Sequence, residues 1–232
     1  MSLIGRIIGA GPSYNPAVPP VLNIAAYRFV PLDDLPALQD RLRRTAEAAA
    51  LKGTVLLAPE GINLFLAGDA TALRGWLEAL RADRRFAGLV TKESWSDAVP
   101  FGRLRVRLKR EIIRMNQPAI RPVDGRAPAV DGPTLARWLQ QGHCDEGRPV
   151  VMLDTRNAFE VDRGGFEGAI DWRLSKFSDF PAALAAHQAE LAGKTVVSYC
   201  TGGIRCEKAA IWMRAQGLAH TWQLDGGILN YF

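Results

Sequence analysis

One stretch constrains this chain more than any other: Val196-Val197-Ser198-Tyr199-Cys200-Thr201-Gly202-Gly203-Ile204-Arg205-Cys206-Glu207-Lys208. A β-branched run leads Cys200 into a loop with paired glycines, Arg205 closes the loop, and an Ala/Ile/Met-rich segment with helical character follows. Strand, glycine loop and helix in that order belong to an α/β unit. Backbone N–H groups of the loop, the first helical turn and the Arg205 guanidinium would all favour negative charge on the sulfur. A cysteine so placed ionises below the ordinary thiol pKa of about 8.5. The competing reading makes Cys200 a small buried hydrophobe at a strand end. The glycine pair and the arginine favour the reactive thiol.

Loop length narrows the chemistry. A loop of the tyrosine-phosphatase kind is one residue longer, because a tetrahedral phosphate needs a wide ring of N–H donors. Here four residues separate Cys200 from Arg205, and Cys206 stands where a phosphatase would carry its arginine. The tighter ring of Thr201, Gly202, Gly203, Ile204 and Arg205 suits a single sulfur or a persulfide. Cys206 has two readings, a thiol that resolves oxidised or persulfidated Cys200, or a packed thiol at the start of a helix expected over residues 206–216.

Strands and helices alternate over residues 134–232, which predicts a parallel sheet with the cysteine loop at the carboxyl ends of its strands. Expected strands are 150–156, 195–199 and 221–224. The first of these ends in Asp154 and Arg156, an acid and a base read as supporting the neighbouring loop.

The first half has a different pattern. Apolar spacing predicts a strand over 21–30 and a helix to about Leu51 with Leu35, Leu38, Leu42 and Ala46 on one face. Strands follow at 54–58 and 62–66 around a Pro59-Glu60-Gly61 turn, then a helix over 70–82 capped by Asp69 and a strand near 90–95. This β-α-β-β-α-β order is ferredoxin-like. A fifth strand is expected from Leu104 to Met115. Its start alternates basic and aliphatic residues, so Leu104, Val106 and Leu108 should turn inward while Arg103, Arg105, Arg107 and Lys109 share one outer face, with Arg110 beyond. Charge on an edge strand guards against aggregation. Four like charges about 6.6 Å apart exceed that need and call for an anionic partner such as RNA. The charge balance agrees, because residues 1–118 hold 17 Lys/Arg against 11 Asp/Glu, whereas 119–232 hold 12 against 13. The expected plan is an arm over 1–20, a ferredoxin-like RNA-binding unit over 21–117, a proline-rich linker over 118–133 and the cysteine-loop unit over 134–232.

Other classes find no support. No run approaches the roughly 18 apolar residues of a membrane span, and no basic segment with an apolar core opens the chain. Three cysteines make no disulfide framework, so a cytoplasmic protein with reduced thiols is expected. His143, His187 and His220 fall in separate elements, the His143-Cys144 pair reads as a solvated loop, and no dinucleotide fingerprint occurs, so neither a metal nor a bound cofactor is expected.

Leu153-Asp154-Thr155-Arg156 with Glu160, then Gly168-Ala169-Ile170, then the Cys200 to Arg205 loop and Leu224-Asp225-Gly226-Gly227 resemble, in that order, a rhodanese domain. The fuller wording Asp154-Thr155-Arg156-Asn157, Phe180-Pro181 and Cys200 through Lys208 resembles the rhodanese-containing tRNA uridine 5-hydroxylase family, whose members place a ferredoxin-like domain first. The first half agrees at Leu56 through Asn63, Lys92 through Trp95, Pro100-Phe101 and Arg103 through Glu111. The resemblance implies a tRNA partner engaged at its anticodon region, with molecular oxygen as co-substrate for hydroxylation at C5 of wobble uridine 34. It also places Cys200 at the catalytic position. The alternatives are a sulfurtransferase with a persulfide on Cys200 and a non-catalytic RNA-binding module.

Overall fold

A computed structural model describes residues 20–231, so the arm expected over 1–20 lies, but for Pro20, outside the described residues. The chain builds two five-stranded sheets, one after the other. The first contains β1 (Val21–Phe29), β2 (Lys52–Ala58), β3 (Gly61–Gly68), β4 (Thr91–Ser96) and β5 (Leu104–Leu108), with α1 (Leu35–Ala48) and α2 (Ala70–Arg81) between strands. Its spatial order is β4-β1-β3-β2-β5. The first four strands pair antiparallel in the expected ferredoxin-like arrangement, and β5 adds to β2 in parallel.

Both helices cover one face of this sheet. Leu38, Leu42 and Ala46 of α1 and Leu73, Trp76, Leu77 and Leu80 of α2 pack on Leu22, Ile24, Leu64 and Leu66. Their spacing of three and four residues makes the apolar stripe, and each buried leucine contributes roughly 1.5–3 kcal/mol. Asp69 caps α2, its Oδ1 accepting the Ala72 N–H at 2.9 Å. Among the described residues the opposite face of the sheet carries no helix of its own.

The fifth strand is shorter than its pattern suggests, and Leu108 is 40% exposed rather than inward. The Lys109 N–H makes the last ladder bond, to the Leu57 carbonyl at 2.8 Å, and residues 110–115 leave the ladder because side chains take over their backbone groups. Glu60 accepts the Ile112 N–H at 2.7 Å, Asn63 donates to the Ile112 carbonyl at 3.1 Å, and Glu111 accepts the N–H of Met115 at 2.9 Å and of Asn116 at 3.0 Å. Polar groups so satisfied no longer need a sheet partner.

The second sheet is all parallel, in the order β6-β10-β9-β7-β8. Its strands are β6 (Ala129–Val130), β7 (Val150–Asp154), β8 (Ile170–Asp171), β9 (Thr195–Tyr199) and β10 (Thr221–Leu224). Helices α3 (Gly132–Gln141), α4 (Ala158–Val161), α5 (Phe180–His187) and α6 (Ile204–Ala215) connect and cover them. The proline-rich stretch between the two units contributes β6 at the sheet edge. The helix after the cysteine starts at Ile204, two residues before the expected Cys206, because Gly203 already accepts the N–H groups of Cys206 at 3.0 Å and Glu207 at 3.3 Å. Among the described residues no helix is long and apolar enough to cross a membrane.

A buried ion cluster joins the two units. Lys208 of α6, 1% exposed, donates to Glu60 at 2.9 Å, Glu111 at 2.8 Å and the Ile113 carbonyl at 3.1 Å. Replacing Lys208 by Met should destabilise the chain by about 3 kcal/mol in urea unfolding, since two partly buried carboxylates lose their cation. Wild-type stability in that variant would show that the cluster does not hold the units together.

Candidate active site

Cys200 directly follows β9 with its side chain wholly buried, and its Sγ accepts the Gly203 N–H at 3.1 Å. Burial alone would push this thiol up. A hydrogen bond from the Cys206 thiol, the charge of Arg205 and the N–H groups of Arg205 and Gly203 outweigh that effect and bring it down to about 5. Cys206, also buried, moves the opposite way because burial and the neighbouring Cys200 thiolate both disfavour a second negative charge. Thr155 Oγ1 donates to the Tyr199 carbonyl at 2.9 Å and lies 3.7 Å from Cys206 Sγ. The pair therefore holds one thiolate, Cys200, and one proton donor, Cys206.

Glu160 anchors the loop from the side. Arg205 grips it with both terminal nitrogens, at 2.6 and 2.7 Å, and Thr201 Oγ1 donates to it at 2.7 Å. Glu160 also accepts the Asn157 N–H at 3.1 Å, which ties the loop to the start of α4. Although burial opposes ionisation of Glu160, the Arg205 contact holds its carboxyl well below the usual carboxylate range. Asp154 and Arg156 lie at the end of the adjacent strand. They bond each other at 2.6 Å, Arg156 donates to the Gly164 carbonyl at 2.7 Å, and its guanidinium sits 5.4 Å from the Tyr199 ring centre. Their reach is to the strand ends beneath the loop.

The other unit completes the rim. Gly203 sits at φ +101, and a Cβ there would stand 2.9 Å from the Tyr27 hydroxyl of β1. Tyr27 donates to Glu207 at 3.2 Å, and Arg126 clasps the same carboxylate at 2.6 and 2.8 Å. Lys92 of β4 donates its ammonium to the Gly226 carbonyl. Burial lowers the Lys92 pKa, while the nearby charges of Cys200 and Asp225 oppose that shift. Gly227 closes the back of the loop, where a Cβ would be 2.5 Å from the Cys200 carbonyl oxygen. Ile204 packs with Ala58 and Ile112 across the seam. The sequence pointed to none of Tyr27, Arg126 or Glu207 as site residues. The available signal was Glu207-Lys208, two charges in a buried helical segment, but nothing local names partners more than 80 residues away.

The basic strand stands apart from the sulfur. Arg105 and Arg107 are exposed on β5 at the far edge of the first sheet, and Arg103, Lys109 and Arg110 are exposed beside it.

Fold and site together define a rhodanese-type domain with an ionised loop cysteine, roofed by an acylphosphatase-like domain. Residues 135–232 match the rhodanese-like domain family, and residues 21–112 match the UPF0176 acylphosphatase-like domain family. The chain is 66% identical over 212 residues to a tRNA uridine(34) hydroxylase of Variovorax paradoxus (strain S110), covering 91% of this chain and 81% of that protein. It is 65% identical to the protein of that name from Delftia acidovorans (strain DSM 14801 / SPH-1), with the same coverage. Identity to the Bordetella petrii (strain ATCC BAA-461 / DSM 12804 / CCUG 43448) protein of the same name is 64%, over 93% of this chain and 85% of that one. The chain belongs to the tRNA uridine(34) hydroxylase family.

A depressed folded-state thiol pKa has a defined sign. Between about pH 5 and the unfolded thiol value of about 8.5, the folded chain has lost a proton that the unfolded chain keeps, so stability rises with pH in that window. Thiolate absorbance near 240 nm, taken as the difference from Cys200→Ser, should titrate with a midpoint near 5. In Cys206→Ala the midpoint should move up as the thiol hydrogen bond is lost. A midpoint at the ordinary thiol value in the wild type would remove the case for an activated cysteine.

Proposed function

We propose that this protein is an oxidoreductase that hydroxylates C5 of uridine 34, the wobble position of the tRNA anticodon, with molecular oxygen as co-substrate and Cys200 as the nucleophile. The observation that carries the reading is the 64 to 66% identity, along more than nine tenths of the chain, to proteins named tRNA uridine(34) hydroxylase.

The site's chemistry supports it. C5 of uracil resists oxidation, but a thiolate adding at C6 turns C5 into an enolate carbon able to attack an oxygen electrophile. Loss of the C5 proton then expels the Cys200 thiolate and restores the C5–C6 double bond, while the second oxygen atom of O2 leaves as water with two electrons from an external reductant. Cys200 is a thiolate at neutral pH, held by N–H donors that cost no reorganisation when the sulfur changes charge. The sulfur has no exposed surface, so the base reaches it once the rim of Tyr27 and Lys92 yields. The unit that supplies this rim also carries Arg103, Arg105, Arg107, Lys109 and Arg110, which give the tRNA backbone its electrostatic footing.

Cys200→Ser should abolish 5-hydroxyuridine in tRNA, read by nucleoside mass spectrometry, while leaving tRNA affinity within about twofold; hydroxylation at the wild-type rate would refute the role of the thiol. The double variant Arg105→Ala with Arg107→Ala should weaken tRNA binding and lower the slope of log affinity against log salt by about two. An unchanged slope would take these two residues off the tRNA path.

A further inference from the structure

The helix-free face of the first sheet has a composition that the fold itself does not require. Strand register places its residues in straight rows across the five strands. One row runs Lys92, Ala25, Phe65, Thr54 and Arg105, each opposite the next. It crosses four strand spacings, ~19 Å from end to end. A cation stands at each end, and an aromatic ring stands at the middle on β3, the central strand.

Phe65 is 48% exposed. A single exposed aromatic is ordinary on a protein surface, so the ring alone decides nothing. Its surroundings decide. The only carboxylate within these strands, Glu93, pairs with the buried Ile24 and turns to the helix side, where it meets Arg74 of α2. The helix-free face thus presents cations, hydroxyls and one open ring with no acid among its strand positions. At the far edge a hollow of about 420 Å³ is lined by Thr54, Phe101, Arg103 and Arg105. At the near edge Lys92 touches the turn after β10, which backs the cysteine loop, through the Gly226 carbonyl. The row next to this one, with Tyr27 and Asn63, is closed over by Ile112 of the segment leaving β5 and by Ile204 and Glu207 of α6. The first row is therefore the open one that borders the covered site.

Single-stranded nucleic acid is held by this combination, backbone phosphates on cations and a base face on an aromatic ring. We infer that the helix-free face is a track for single-stranded anticodon-loop RNA, on which Phe65 stacks a base flanking the target uridine while Arg105 and Lys92 hold phosphates on either side. The inference rests on the proposed tRNA substrate and adds a specific base contact to it.

The test uses the full chain and an anticodon stem-loop RNA with uridine at position 34, with affinity read by fluorescence anisotropy. Stacking on an aromatic is worth ~1–3 kcal/mol per base. Phe65→Ala and Phe65→Leu should each weaken binding about tenfold or more, and Phe65→Tyr should bind like the wild type. The leucine variant keeps an apolar side chain of similar size, so a loss shared by both separates the missing ring from altered packing. In a series of RNAs each abasic at one loop position, a single member should lose its sensitivity to Phe65→Ala, which names the stacked base. Equal affinity of Phe65→Leu and wild type, or the same loss with every abasic RNA, would overturn the stacking contact. Wild-type hydroxylation of tRNA is measured in parallel. A wild type that modifies tRNA while the Phe65 variants bind normally removes the track and leaves the function; a wild type that neither binds nor modifies tRNA removes both.

Discussion

The ammonium of Lys208 is the contact through which the two halves of this molecule share one site. A charge this deeply buried costs several kcal/mol unless its partners are complete. Here the partners come from three places: Glu60 in the hairpin turn between β2 and β3, Glu111 in the segment leaving β5, and the Ile113 carbonyl. The lysine itself lies on α6, the helix that begins in the cysteine loop. Satisfying one cation therefore fixes the loop, the first sheet and their connection relative to each other. Glu111 also takes the N–H groups of Met115 and Asn116, so the same cluster turns the chain out of the first sheet. The adjacent Glu207 repeats the arrangement with opposite sign, accepting from Tyr27 and Arg126. Two neighbouring residues on one helix thus hold β1 and the β2–β3 turn against the cysteine unit.

That placement matters because the thiolate lies in a dry interior, where burial works against it. Arg205 is not wholly free to compensate, since Glu160 already occupies its terminal nitrogens. Much of the stabilisation accordingly comes from hydrogen-bond donors aimed at the sulfur, the Cys206 thiol and the N–H groups of Gly203 and Arg205. Donors fixed by the backbone hold a charge without moving, which suits a nucleophile that must give up and regain its electron pair. The arrangement also distinguishes the two thiols by environment, leaving the proton on Cys206.

Much of the fold was legible in order and type because it rests on local patterns. The helical spacing of Leu38, Leu42 and Ala46, the Asp69 cap and the β-branched run before Cys200 each act over a few residues. The alternation in Arg103 to Lys109 was read correctly in pairing, although Leu108 at the strand end is exposed, and the strand expected to Met115 failed beyond Lys109, where Glu60, Asn63 and Glu111 replace the ladder. Two of those competing partners, Glu60 and Asn63, lie 52 and 49 residues from Ile112 in the chain, so no local period could announce them.

By itself the sequence determined the chemistry of the loop. Cys200, its glycine turn, Arg205 and the following helix are contiguous, and the forces that ionise the sulfur act within that one segment. Only the tertiary structure decided what surrounds the loop. Tyr27 meets Glu207 across 180 residues, Lys208 meets Glu60 across 148, and Lys92 meets Gly226 across 134. Register across five strands likewise set Phe65 between Lys92 and Arg105. Such partners are chosen by the packing of two sheets around one buried cation, a condition that belongs to the folded chain and to no stretch of it.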